Sequence, residues 1–98
     1  MVKKIQGIEA REKFYEQLKN QQLTLAETLK AMRAILGMTQ PEYAKFVGVA
    51  PRIIIDLERG VGNPTLVSLR KIAKPFQLDL IYVSNLGRDK WMSGRDPI

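Results

Sequence analysis

The stretch that most limits what this chain can become is TQPEYAKFVGVAPRIIIDLERG at residues 39–60, two short helix signatures separated by a Gly-Val step. Thr39-Gln-Pro-Glu42 spells a capping box, in which a threonine hydroxyl and a glutamate three residues on each satisfy a free backbone N–H of the opening turn. Pro41 falls in that turn, where its missing N–H costs little. Tyr43, Ala44 and Val47 share one side of this helix before Gly48 ends it. Ala50-Pro51 opens the next, because proline pre-sets the first helical φ, and Arg59-Gly60 closes it with a basic last turn and a glycine suited to a left-handed stop. Ile53-Ile54-Ile55 taken alone suits a strand. The flanking Pro51 and Gly60, and the three-residue step from Ile54 to Leu57, predict a buried helical face instead. Val47, Val49, Ile54 and Leu57 are then placed to lock the angle between the two helices.

The rest of the chain supplies elements to pack against this pair. Residues 8–18, IEAREKFYEQL, predict a helix with Ile8, Phe14, Tyr15 and Leu18 on its apolar side. Thr24-Leu-Ala-Glu27 is a second capping box, followed at helical spacing by Leu25, Leu29, Met32 and Leu36 and stopped by Gly37. Gly62-Asn-Pro64 reads as a loop and Thr65 as the cap of a further helix, with Leu66, Leu69, Ile72 and Ala73 inward and Pro75 ending it near Lys74. Residues 78–83, LDLIYV, alternate as a strand: Leu78, Leu80 and Tyr82 on one face, Ile81 and Val83 on the other. A lone strand leaves its backbone groups unpaired, so its expected partner is the same strand of a second copy in a two-fold homodimer. The expected fold is therefore an all-α bundle of about five helices with one C-terminal β-strand pairing across a homodimer. The chain divides into an N-terminal helical extension (1–23), a central domain (24–77), the dimerisation strand (78–84) and a tail (85–98) carrying Trp91 and Met92.

Composition narrows the function classes. In 98 residues there is room for one compact core. Sixteen Lys and Arg against ten Asp and Glu leave a net charge of +6 and an isoelectric point near 9.8, which favours a polyanionic partner. The absence of cysteine and histidine excludes disulfides, zinc-finger ligation and the commonest general base. No paired-carboxylate or nucleophile-base pattern suggests an enzyme, and no metal or other cofactor is expected. No apolar stretch approaches the roughly 20 residues of a membrane span, so a cytoplasmic protein without a membrane partner is expected.

From about residue 25 to residue 80 the chain resembles the Cro/CI-type, or xenobiotic-response-element, helix-turn-helix repressors and antitoxins, whose domain is a lambda-repressor-like bundle. The motifs that carry the likeness are Arg33, Thr39-Gln40, Ala44, Gly48-Val49, Ile54, Leu57-Glu58-Arg59-Gly60, Asn63-Pro64-Thr65-Leu66 and Leu69. The resemblance implies that Gln40 meets phosphate and nearby bases of double-stranded DNA. It also implies that Pro51, Arg52, Ile53 and Asp56 face the major groove and that Arg59 and Asn63 lie near the backbone. Arg33 and Glu58 would form a buried structural ion pair. With Thr39 beside Gln40 and Ile55 on the outward face of the second helix, the candidate DNA-contacting set is Thr39, Gln40, Pro51, Arg52, Ile53, Ile55, Asp56, Arg59 and Asn63.

The departures from that family are informative. Ala50 stands where a Ser or Thr cap is usual, a loss of about 1 kcal/mol of helix stability. Pro51 occupies a base-reading position, leaving Arg52 as the best group for guanine O6 and N7, while Ile53 and Ile55 can offer only apolar contact to thymine methyls. Asp56 faces repulsion from phosphates unless it accepts from cytosine N4 or pairs with Arg52 one turn back, and the pairing is the preferred expectation. The layout of DNA-binding domain, dimerising strand and tail with a late Trp91 resembles the Hip-type antitoxins, which implies a kinase-toxin partner anchored by Trp91 and repression of the protein's own operon. The expected function is a repressor reading an inverted-repeat, palindromic operator, as the autoregulating antitoxin of a toxin-antitoxin pair. The alternative is an interaction module that neutralises a partner toxin through its tail, with vestigial DNA binding.

Overall fold

The computed structural model describes residues 2–84, with side chains from residue 7 onward. Five α-helices follow one another: α1 (Val2–Lys19), α2 (Leu25–Leu36), α3 (Gln40–Val47), α4 (Pro51–Glu58) and α5 (Leu66–Ala73), with a 3-10 turn at Lys74–Phe76. None of these helices is long and apolar enough to cross a membrane.

Local stereochemistry sets the ends of α2 and α3. The Thr24 hydroxyl accepts from the Glu27 N–H at 3.2 Å, while the Thr24 N–H donates to Glu27 Oε1 at 2.9 Å. Thr39 and Glu42 repeat the arrangement at 3.2 and 2.8 Å. The hydrogen bond from the Thr39 N–H, with the Thr39 hydroxyl beside it, holds the Glu42 carboxyl below the usual carboxylate range. Gly48, at φ +81°, turns the chain in a left-handed step, and the N–H groups of Gly48 and Val49 both donate to the Ala44 carbonyl. A side chain at this φ costs about 1–2 kcal/mol.

One apolar core joins all five helices: Phe14 from α1, Leu29 and Met32 from α2, Tyr43 and Ala44 from α3, Ile54 and Leu57 from α4, and Ile72 from α5, with Phe76 from the 3-10 turn. The Tyr43 phenol donates at 2.7 Å to the carbonyl of Ile72 in the last turn of α5. Its burial pushes the phenol pKa up to about 12. Phe76 meets Phe14 edge-on with ring centres 5.4 Å apart. The Arg11 guanidinium lies 4.6 Å over the Phe76 ring, and the Tyr15 hydroxyl donates to the Phe76 carbonyl at 2.9 Å. These contacts pin α1 to the far end of the domain. Phe76 lies outside every apolar period of the sequence, because Pro75 ends the helical pattern just before it.

Three expectations are corrected. No strand occurs among the described residues, so the one expected across Leu78, Leu80, Ile81, Tyr82 and Val83 is absent from the single chain. A strand exists only where a neighbouring extended segment accepts its N–H groups, and a bundle of helices offers none. The Leu78 N–H instead donates to Ala73 and the Leu80 N–H to the Asp79 carboxylate, leaving Ile81 and Tyr82 83 and 104 % exposed. Leu66, expected inward, is 52 % exposed because it opens α5, one turn before the buried stripe begins. Ile8 and Tyr15 are also exposed, and the buried side of α1 rests on Phe14. Trp91 and the tail at 85–98 lie outside the described residues.

Candidate nucleic-acid interface

The end of α4 is tied back to α2 by a forked ion pair. Arg33 Nε donates to Glu58 Oε2 at 2.7 Å and Nη2 to Oε1 at 2.9 Å, while Nη1 donates to the Met38 carbonyl at 3.0 Å in the turn before α3. One guanidinium thus holds three segments in register, using the planar fork that lysine lacks. The Glu58 side chain is 4 % exposed, and its hydrogen bonds raise the Arg33 pKa further above an already high value. Gln40, the first residue of α3, donates from Nε2 to Glu58 Oε1 at 3.2 Å. Its amide keeps a second N–H for phosphate and an acceptor oxygen for an amino group. Thr39 is exposed, and its hydroxyl accepts from the Glu42 N–H in the capping box.

Helix α4 opens without a side-chain cap at Ala50, and Pro51 is its first residue. Pro51, Arg52, Arg59 and Asn63 are exposed, whereas Ile53, Ile55 and Asp56 are half-buried, Ile53 leaning on the core. Arg52 Nε lies 3.3 Å from Asp56 Oδ1, a one-turn pair with side chains 73 and 27 % exposed. Arg52, Ile53, Asp56 and Asn63 come together around a shallow depression of about 220 Å³ between α4 and the following loop. Thr39 and Gln40 stand instead at the N-terminus of α3, and Arg59 caps the C-terminal end of α4.

Two contacts have no signal in sequence spacing. Lys71 reaches from α5 to the Gly48 carbonyl at 3.5 Å, carrying positive charge to the turn between α3 and α4. The Gly62 backbone packs against Asp56 so closely that an added Cβ would lie 3.0 Å from the Asp56 Cβ. Arg70 faces Asp79 at 3.7 Å, which lowers its value as a free cation. Among the described residues no group of three or more acidic side chains could hold a metal ion.

A helix-turn-helix family model matches residues 29–83, more than half of the chain, which belongs to this family. A protein of Archaeoglobus fulgidus named as an uncharacterized HTH-type transcriptional regulator is 48% identical over 48 residues, 49% of this chain and 69% of that protein. One of Methanocaldococcus jannaschii with the same description is 44% identical over 48 residues, 49% of this chain and 73% of that protein. A third, of Methanothermobacter thermautotrophicus, is 41% identical over 46 residues, covering 47 and 67% of the two chains. No solved structure gives a significant match.

Proposed function

We propose that this protein is a homodimeric, sequence-specific transcriptional repressor that reads an inverted-repeat operator through the major groove, and that it serves as the autoregulating antitoxin of a toxin-antitoxin pair. The observation that carries the DNA-reading role is the α3–α4 unit. The Arg33–Glu58 fork makes its angle rigid, and the first turn of α4, with an exposed Arg52, stands free to enter a groove. Gln40 and the Thr39 hydroxyl at the start of α3 supply phosphate contacts, with Arg59, Asn63 and Lys71 around them. The net charge of +6 draws the protein to the polyanion. Pairing of two copies through residues 78–83 is supported by the apolar surface left uncovered at Ile81, Tyr82 and Val83. The two α4 helices then enter successive major grooves about 34 Å apart. The antitoxin role, with a Hip-type kinase as partner and Trp91 as its anchor, rests on the resemblance in layout.

Duplexes selected by the purified protein from a randomised pool give the operator, and its position in the protein's own promoter tests autoregulation. On such a duplex Arg52→Ala should weaken binding by roughly tenfold and relax the preference at one base pair per half-site, measured by fluorescence anisotropy. Unchanged affinity and preference would remove the DNA-reading role. The neutralising module acting through its tail would then be the better reading, one that Pro51 and the half-buried Ile53 and Ile55 already favour by narrowing the set of polar readers.

A further inference from the structure

On the basis of the DNA-reading role proposed above, we infer that Asp56 is a positioning residue: by an ion pair on the Nε side of the Arg52 guanidinium it turns the two terminal nitrogens toward a guanine edge. An arginine carries five N–H donors, four of them on Nη1 and Nη2. Asp56 Oδ1 lies 3.3 Å from Nε, the nitrogen that bears the fifth, as an ion pair. The edge left outward is the one that matches guanine O6 and N7.

The Asp56 side chain is backed by the loop after α4. There the Gly60 N–H donates to the Leu57 carbonyl and the Val61 N–H to the backbone carbonyl of Asp56, and the left-handed Gly60, at φ +72°, reverses the chain. This brings Gly62, at φ +91°, against the aspartate, where a Cβ would stand 3.0 Å from Asp56 Cβ and 3.5 Å from Oδ2. One carboxylate oxygen therefore lies beside the Gly62 backbone and the other beside Arg52. Asp56 is also the deeper of the two side chains, 27 % exposed against 73 % for Arg52, so the arginine leads toward the DNA.

An exposed ion pair one helical turn apart contributes little to folding. Its consequence is for selectivity. A free arginine on the groove face takes any phosphate, whereas the pair is neutral as a whole and offers directed donors. Asp56 thus weakens binding to unrelated DNA and reduces the ordering needed for the specific contact.

The test replaces each guanine of a selected duplex in turn by 7-deazaguanine, which lacks the N7 acceptor, and measures affinity by fluorescence anisotropy. The wild-type protein should lose roughly tenfold at one guanine per half-site. In Asp56→Ala this penalty should shrink below about threefold while affinity for an unrelated duplex of equal length rises. Asp56→Asn, which keeps the size and loses the charge, should shrink the penalty likewise and bind unrelated DNA more tightly. Asp56→Ser, also without a carboxylate, repeats the measurement if the alanine variant melts early. A full penalty in the alanine and serine variants would overturn the positioning role, including the case in which Asp56 itself accepts from cytosine. A penalty that survives Arg52→Ala, or is absent from the wild-type protein, would strike the DNA-reading role instead.

Discussion

Glu58 is where the contacts behind the α3–α4 unit converge, since Arg33 grips both of its oxygens and Gln40 shares one of them. Replacing Arg33 with Ala would leave a carboxylate with 4 % exposure facing the core without its fork. Such a loss costs about 3 kcal/mol, to be read from the midpoint of urea unfolding, and Arg33→Lys should recover only part of it. Tyr43 carries another long-range polar contact of the core, to Ile72. Its phenol is held neutral up to about pH 12 in the folded chain, above the ordinary value of 10.0. The sign follows directly: a raised folded pKa stabilises the fold fully below the unfolded value, and that contribution is lost as pH rises through the folded one. Melting temperature should therefore fall between pH 10 and pH 12. Tyr43→Phe should cost about 1 kcal/mol at neutral pH and flatten that alkaline decline.

Of the helices α2 to α5, α4 begins least well supported, because Ala50 has cap geometry, φ −67° and ψ 140°, and no side-chain oxygen to use it. Ala50→Ser supplies that oxygen without disturbing the backbone. Thermal unfolding should show a gain of about 1 kcal/mol. Helices α2 and α3, by contrast, each open with a full capping box. The remaining hold on α4 comes from its buried Ile54 and Leu57 and from Glu58 at its far end.

At the scale of the whole molecule, the described chain leaves Ile81, Tyr82, Val83, Leu66 and Val67 largely in water. The proposed dimer covers residues 78–83 by pairing two copies in a ladder. Leu80→Pro removes a ladder donor, so light scattering should report a monomer. DNA binding by that monomer should show about half the salt dependence, because half as many phosphates are neutralised. A dimer that persists would place the interface elsewhere.

Helix ends were legible in the residues themselves. Thr24 with Glu27, Thr39 with Glu42, Gly37 and Gly48 act within one turn, and their stereochemistry does not depend on what lies across the core. The inward faces of α3 and α4 followed from spacing for the same reason, while the Arg33–Glu58 pair was reached only through resemblance, its partners being 25 positions apart. What the tertiary structure alone decided is whatever needs two distant segments to meet. It put Phe76 under Phe14, Lys71 at the Gly48 turn and Gln40 on Glu58, and among the described residues it left 78–83 without a strand to pair with. It also set Gly62 against Asp56, in a loop that the left-handed Gly60 turns back onto α4.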